Sequence, residues 1–257
     1  MKSLLKPIWH GVRPVLQTLV GEERLESWLF KSGLYNLKSR IAVRREEFPG
    51  GIFMWRRDSD TPALNEVLKL GAYDCAEVSA GDTVLDVGAN IGSFSVSVSK
   101  RIGDGKVFSF EPEAENLALL RRNLQENACS NVTVFPFAVS DKNGTETLHV
   151  REAPGAHSLM GGSGATSQIE VRMLDDLADE LQLGDVTLLK IDTEGAERKI
   201  LAGAVKLLAR TSQIVMETHP DWISVDELKS FLTERGFSCH DVDAPSGSPL
   251  LYCRKSK

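Results

Sequence analysis

The stretch VLDVGANIGSFSV, residues 84–96, decides the fold. An apolar run ends at Gly88, a short turn follows, and Ile91, Phe94 and Val98 then share one helical face. That order predicts a strand, a tight turn and the start of a helix. A glycine-bearing turn at the carboxyl end of a parallel strand is where open α/β sheets bind nucleotides. Gly88 and Gly92 carry no Cβ and are expected to let a ligand approach the backbone closely.

The same turn selects among nucleotides. A dinucleotide fingerprint needs G-x-G-x-x-G, but the spacing here is Gly88-x-x-x-Gly92 with Asn90 in the middle. Asp86 beside the turn would repel a pyrophosphate, where dinucleotide sites offer backbone N–H groups instead. S-adenosyl-L-methionine has no phosphate; its ammonium and sulfonium suit Asp86. Glu111 stands 23 positions after Gly88, where a carboxylate can accept both ribose hydroxyls. NAD enzymes share that feature, so Glu111 marks an adenosine ribose without choosing the cofactor.

On either side the chain alternates strand and helix. Strands are expected at Thr83–Val87, Val107–Phe110, Val132–Phe137, Val186–Ile191 and Ile214–Met216. One helix carries Leu117, Leu120 and Leu124, with Pro112 in its first turn. Another carries Ile200, Leu201, Leu207 and Leu208. Ser224-Val225-Asp226-Glu227 reads as a capping box opening the last helix, which Gly236 closes. Thr145–Val150 and Ile169–Met173 read as antiparallel strands, and Phe237–Val242 with Leu250–Cys253 as a final hairpin. Such βαβ alternation predicts a parallel sheet with helices on both faces, an α/β Rossmann-like fold. In the third-strand segment, Ala138 and Val139 are placed against an adenine, Asn116 near the ribose, and Asp141 in a plain turn.

Three further stretches carry a likeness. FEPEAENLALLRRNL (110–124), VRMLDDL (171–177) and KIDTEGAE (190–197), with the turn at 84–96, resemble the FkbM family of class I S-adenosylmethionine-dependent methyltransferases. The likeness runs from about residue 50 to 254. It implies a seven-stranded sheet whose last strand is antiparallel. It also implies methyl transfer to a hydroxyl oxygen of a small molecule, sugar, glycolipid or polyketide.

KIDTEGAE places Lys190 and Asp192 at the end of the fourth strand, with Glu194, Gly195 and Glu197 opening the next helix near its positive dipole end. Asp192 and Glu194 are assigned to the crevice; Glu197 is read as a helix cap. METHP (216–220) ends the fifth strand, and Glu217 and His219 would share one strand face if that strand persists. His219 is the favoured general base, since imidazole titrates near working pH. Asp192 and Glu194 are the other catalytic candidates. Asp192, Glu217 and His219 lack close metal-ligand spacing, so no metal is assigned. His157-Ser158 lies in a glycine-rich loop, Gly155 to Ser167, that could close over the sulfonium.

Charge and composition bound the remainder. The chain has 257 residues, 42% hydrophobic, enough for a real core. Residues 1–60 hold 11 Lys/Arg against 7 Asp/Glu, while the rest holds 19 against 29. An acidic body argues against a nucleic-acid partner. The motif Asn/Asp-Pro-Pro-aromatic of many nucleic-acid N-methyltransferases is absent after the fourth strand. Residues 1–60 read as a helical and hairpin extension, with strands around Pro49-Gly50-Gly51, ahead of a methyltransferase domain at 61–257. Leu4, Leu5, Ile8, Trp9, Val12, Val15, Leu16, Leu19 and Val20 recur at helical spacing. They read as a docking cap, or as weak membrane-surface contact through residues 1–20. Lys6, Pro7, His10 and Arg13 interrupt any signal-peptide core, and no run of 18 apolar residues exists. The scattered Cys75, Cys129, Cys239 and Cys253 read as reduced thiols of a cytoplasmic protein. Rival readings are an NAD-dependent oxidoreductase and a non-catalytic membrane-recruited adaptor.

Overall fold

The computed structural model describes residues 43–56, 60–150, 165–220, 222–243 and 249–256. Residues 1–20 and His157-Ser158 lie outside them. The chain divides into two units, Met1–Arg44 and Arg45–Lys257. The hairpin expected around Pro49-Gly50-Gly51 falls almost wholly in the second, as β1 (Val43–Phe48) and β2 (Gly51–Arg56). Asn123 and Asn127 tie it there: their side chains bond both the N–H and the C=O of Met54 and Ile52, respectively.

A short helix α1 (Thr61–Leu64) runs into a π-helical turn at Asn65–Lys69. Then come β3 (Thr83–Val87), α2 (Ser93–Ile102), β4 (Lys106–Phe110), α3 (Ala114–Glu126) and β5 (Val132–Phe135). The third strand stops two residues short of expectation because Pro136 has no N–H to continue a ladder. The chain turns away as β6 (Ala138–Val139) to join β7 (Gly144–Val150) and β8 (Ala165–Arg172) in a separate three-stranded sheet. Helix α4 (Leu174–Glu180), β9 (Val186–Ile191), α5 (Glu197–Ala202), α6 (Val205–Ala209) and β10 (Thr211–Glu217) follow. The chain ends with α7 (Val225–Thr233), β11 (Phe237–Asp243) and β12 (Pro249–Lys255).

The main sheet has the order β11-β12-β10-β9-β3-β4-β5. Six strands run the same way, five of them in parallel pairs, and β12 runs antiparallel between β10 and β11. Strand order reverses between β3 and β9, the switch point where such sheets open a crevice. Alternation along the strands sorts the core. Leu85, Val87, Leu189, Ile191, Ile214 and Met216 face one side, packed with residues of α4 to α7. Val84, Leu188 and Val215 face the other, against Phe94, Val98 and Ile102 of α2.

Two details differ from expectation. Pro112 precedes α3 instead of lying in its first turn, because the Glu113 side chain caps the helix by accepting from Asn116 N at 2.6 Å. Cys239 and Cys253, read as separate thiols, form a disulfide. They are direct cross-strand partners in the β11–β12 hairpin, a pairing their 14-residue separation does not advertise. The pair removes the cysteine ground for a cytoplasmic setting. The Ser224 side chain does accept from Glu227 N, as the capping box predicts. No helix among the described residues is long and apolar enough to cross a membrane.

Candidate active site

A cavity of about 290 Å³ opens at the carboxyl ends of β3, β4 and β9. Gly88, Asn90, Glu111, Asn116, Ala138, Val139, Asp192 and Glu194, all expected at the site, line it. Glu66, Glu113 and Glu217 add three more acids to the wall. The described lining residues include no lysine or arginine.

Glu111 opens the short β4–α3 loop with its carboxyl turned inward. Its Oε2 accepts from Asn90 N at 2.8 Å and its Oε1 from Glu113 N at 2.9 Å. Asn116 Nδ2 lies 3.5 Å from Oε1. Burial dominates its titration and pushes it up to about 7, against the two backbone N–H groups that favour the charged form. Asn116 is fixed from behind, its Oδ1 accepting from Arg56, whose guanidinium also holds Asp60.

Two glycines turn out to serve different ends. A Cβ on Gly88 would sit 1.8 Å from the Asp192 carbonyl oxygen, so glycine lets β3 and β9 close at the cavity floor. A Cβ on Gly92 would meet Leu120 Cδ1 at 2.5 Å, and Gly92 does not line the cavity. Its smallness serves the packing of α2 on α3, not the approach of a ligand. Gly92 also has φ +87. Gly92→Ala is expected to lower stability by about 1–3 kcal/mol in denaturant titration, through strain and overpacking, with ligand affinity of the folded protein unchanged.

Asp86 is the main correction. Its side chain is fully buried and does not line the cavity. Strand alternation puts residues 84 and 86 on the α2 face, so Asp86 points away from the crevice. Its Oδ2 accepts from Ser95 Oγ, which contacts Ser109 Oγ at 2.8 Å. Its Oδ1 lies 3.0 Å from Lys190 Nζ, its register partner on β9. Lys190 also donates to Gly88 O at 2.8 Å and lies 3.4 Å from Asp192 Oδ2. The expected lone acidic charge is therefore a neutralised pair beneath the floor.

Asp192 does face the cavity. Tyr73 Oη donates to its Oδ2 at 2.9 Å. Burial opposes its charge, but Lys190, Tyr73, Glu217 and His219 outweigh burial and hold its carboxyl below the ordinary value. Burial, then the Asp192 and Glu66 charges, push Glu217 up to about 8.

His219 differs from expectation in two ways. β10 ends at Glu217, so Glu217 and His219 do not share a strand face; only Glu217 lines the cavity. His219 sits behind Glu194, its Nε2 3.6 Å from Glu194 Oε2 and its Nδ1 2.7 Å from Glu197 Oε1. Burial alone would lower its pKa, but Glu197, Glu194 and Glu217 push it to about 9. Near neutral pH it is an imidazolium, unable to take a proton. Glu197, read as a cap, is a fully buried counter-ion of His219 instead. The sequence signal for it is the second acid of the TEGAE segment. Among the described residues no group of three or more His, Cys, Asp or Glu is arranged to hold a metal ion.

Glu197→Gln is expected to lower the His219 pKa by at least about one unit in imidazole NMR titration. The folded pKa stands above the ordinary 6.5, so the pair's stabilisation is complete below that value and fades as pH rises through about 9. The stability gap between wild type and variant should close over the same window.

The chain is similar to several known methyltransferases. The 2-O-methyltransferase NoeI of Sinorhizobium fredii is 28% identical over 152 residues, 52% of this chain and 62% of that protein. The chain thus spans less than two thirds of NoeI. The 31-O-demethyl-FK506 methyltransferase FkbM of Streptomyces tacrolimicus is 30% identical over 195 residues, 63% of this chain and 75% of that protein. A solved SAM-dependent methyltransferase from Aquifex aeolicus aligns over 77% of this chain and 95% of its own, at 16% identity and TM-score 0.48. The methyltransferase FkbM domain matches residues 86–239, from the floor aspartate into β11 and including every carboxylate of the cavity except Glu66, and the chain belongs to the FkbM family of methyltransferases.

Proposed function

We propose that the protein transfers a methyl group from S-adenosylmethionine to a hydroxyl oxygen of a small-molecule or glycan acceptor. The observation that carries the reading is the acid-walled cavity at the β3/β9 switch point with Glu111 held inward. The residues fit the cofactor. Glu111 presents carboxylate oxygens at a strand end, as a ribose diol requires. Asn90 Oδ1, Thr193 Oγ1 and Glu66 Oε1 are buried at the same wall without a hydrogen-bond partner among the described residues. Ala138, Val139 and Leu148 supply an apolar patch for a base. The surplus of carboxylates suits a cation and opposes a pyrophosphate, which Asp86 had been expected to do alone. This disfavours the dinucleotide alternative.

When bound, S-adenosylmethionine supplies a sulfonium-activated methyl group. The protein holds the acceptor oxygen in line, an effect worth roughly 7–11 kcal/mol of barrier, and takes up the hydroxyl proton. Asp192 is the base: it lines the cavity, is ionised and is fixed by Tyr73 and Lys190. Glu194 stands beside it and anchors His219, whose fixed positive charge offsets the acidic wall on that side. The oxygen-directed names of NoeI and FkbM support a hydroxyl acceptor.

Calorimetry with S-adenosylhomocysteine and with NADH tests the cofactor; tight NADH binding and no S-adenosylhomocysteine binding would overturn the reading. Transfer of labelled methyl into a panel of glycosides, lipids and polyketides tests the acceptor class. Label appearing only on nitrogen would refute it.

A further inference from the structure

Glu217 is the last residue of β10, and Asp192 follows the last residue of β9. These strands are parallel neighbours with Met216 opposite Ile191, so the two carboxyls leave the sheet side by side. Both line the cavity. Beneath them Lys190 is shared between Asp86 at 3.0 Å and Asp192 at 3.4 Å. Two carboxylates and one ammonium already leave one net negative charge before Glu217 is counted. An ionised Glu217 would double it in a half-buried place, next to another carboxylate.

We propose that Glu217 is the positioning residue of Asp192: it keeps its proton, donates it in a hydrogen bond to Asp192, and holds that carboxylate toward the acceptor hydroxyl. The proposal rests on the reading of Asp192 as the base. Charge balance gives the reason for a retained proton. The acceptor's proton moves to Asp192, its O–H bonding pair becomes the new O–CH₃ bond, and the C–S bonding pair returns to sulfur. One positive charge is consumed as the cluster gains one proton, so a cluster that starts at minus one ends neutral. A cluster starting at minus two would end with an uncompensated charge at the cavity wall.

The groups acting on Glu217 come from every neighbouring element. Glu66 lies on the π turn and Tyr73 follows it; Asp192 extends from β9; His219 follows β10. Burial, Asp192 and Glu66 favour the protonated form, and His219 opposes it. The Tyr73 hydroxyl also donates to Asp192, at Oδ2, so with Glu217 the base would have two donors.

The test is a ¹³C-carboxyl NMR titration of the full chain, paired with S-adenosylhomocysteine calorimetry and the pH profile of methyl transfer. In the wild type one glutamate should titrate near 8. That signal should vanish in Glu217→Gln and fall by more than about one unit in Asp192→Asn. Glu217→Gln keeps a donor, and should retain at least about a tenth of turnover while losing the fall in rate above pH 8. Glu217→Ala should lose about 30-fold or more. A residual limb near 9 belongs to His219. S-adenosylhomocysteine affinity should stay within about threefold in all three variants. Titration of Glu217 near its ordinary value, or a Gln variant as inactive as Asp192→Asn, overturns the proposal. Failure of the wild type to bind S-adenosylhomocysteine instead refutes the cofactor reading, and the titration still decides the protonation of Glu217.

Discussion

Asp192→Asn is expected to cut turnover by about 10²–10⁴-fold, the range a positioned base supplies, with S-adenosylhomocysteine affinity nearly unchanged. Asparagine is close to isosteric and can still accept from Tyr73. It removes one charge from a cluster whose ammonium retains Asp86 at 3.0 Å, so the floor should hold together. The loss should appear in kcat and kcat/KM alike, because the missing interaction matters only as the proton leaves. Turnover within about threefold of wild type would remove Asp192 from the chemistry and return the search to Glu194.

Glu111→Ala should weaken S-adenosylhomocysteine binding by about 10²-fold or more. Hydrogen bonds to a charged group are worth about 1.5–3 kcal/mol each, and a ribose diol offers two. A pH signature goes with it. Glu111 is pushed up to about 7 by burial, and its ionised form is the better acceptor. Wild-type affinity should therefore weaken as pH falls below 7, approaching tenfold per unit. Glu111→Gln cannot titrate, so its affinity should be flat from pH 5 to 8 in calorimetry. A wild type equally flat over that window would place the ribose elsewhere. Cofactor KM should rise in the alanine variant while kcat at saturation is largely kept, the reverse of the Asp192 result.

Much of the cavity lining was legible because it lies near strand ends. Gly88, Asn90 and Glu111 follow from one turn and one strand spacing, and Asp192 and Glu194 from the KIDTEGAE segment. The roles of Asp86, Gly92 and His219 were not legible. Asp86 reads as a cofactor ligand from its place beside the turn. Whether a side chain at the end of β3 faces crevice or helix depends on strand parity and on the lysine that β9 brings opposite. Gly92 reads as a ligand contact until Leu120 is seen above it. His219 reads as a base until Glu197, 22 residues earlier, closes on its Nδ1. Glu66, before the first strand of the main sheet, gave no signal of its own.

The local order of strands, turns and helices, and the placement of acids at strand ends, were determined by the sequence itself. Period-two and period-3.6 patterns and capping residues act over a few neighbours, where chain entropy hides nothing. Tertiary structure alone decided which carboxylates keep their charge. Protonation depends on desolvation and on charges a few ångströms away in space, and Lys190, Tyr73 and Glu197 reach Asp86, Asp192 and His219 from elements far along the chain. The same holds for Cys239 and Cys253, which only hairpin register brings together.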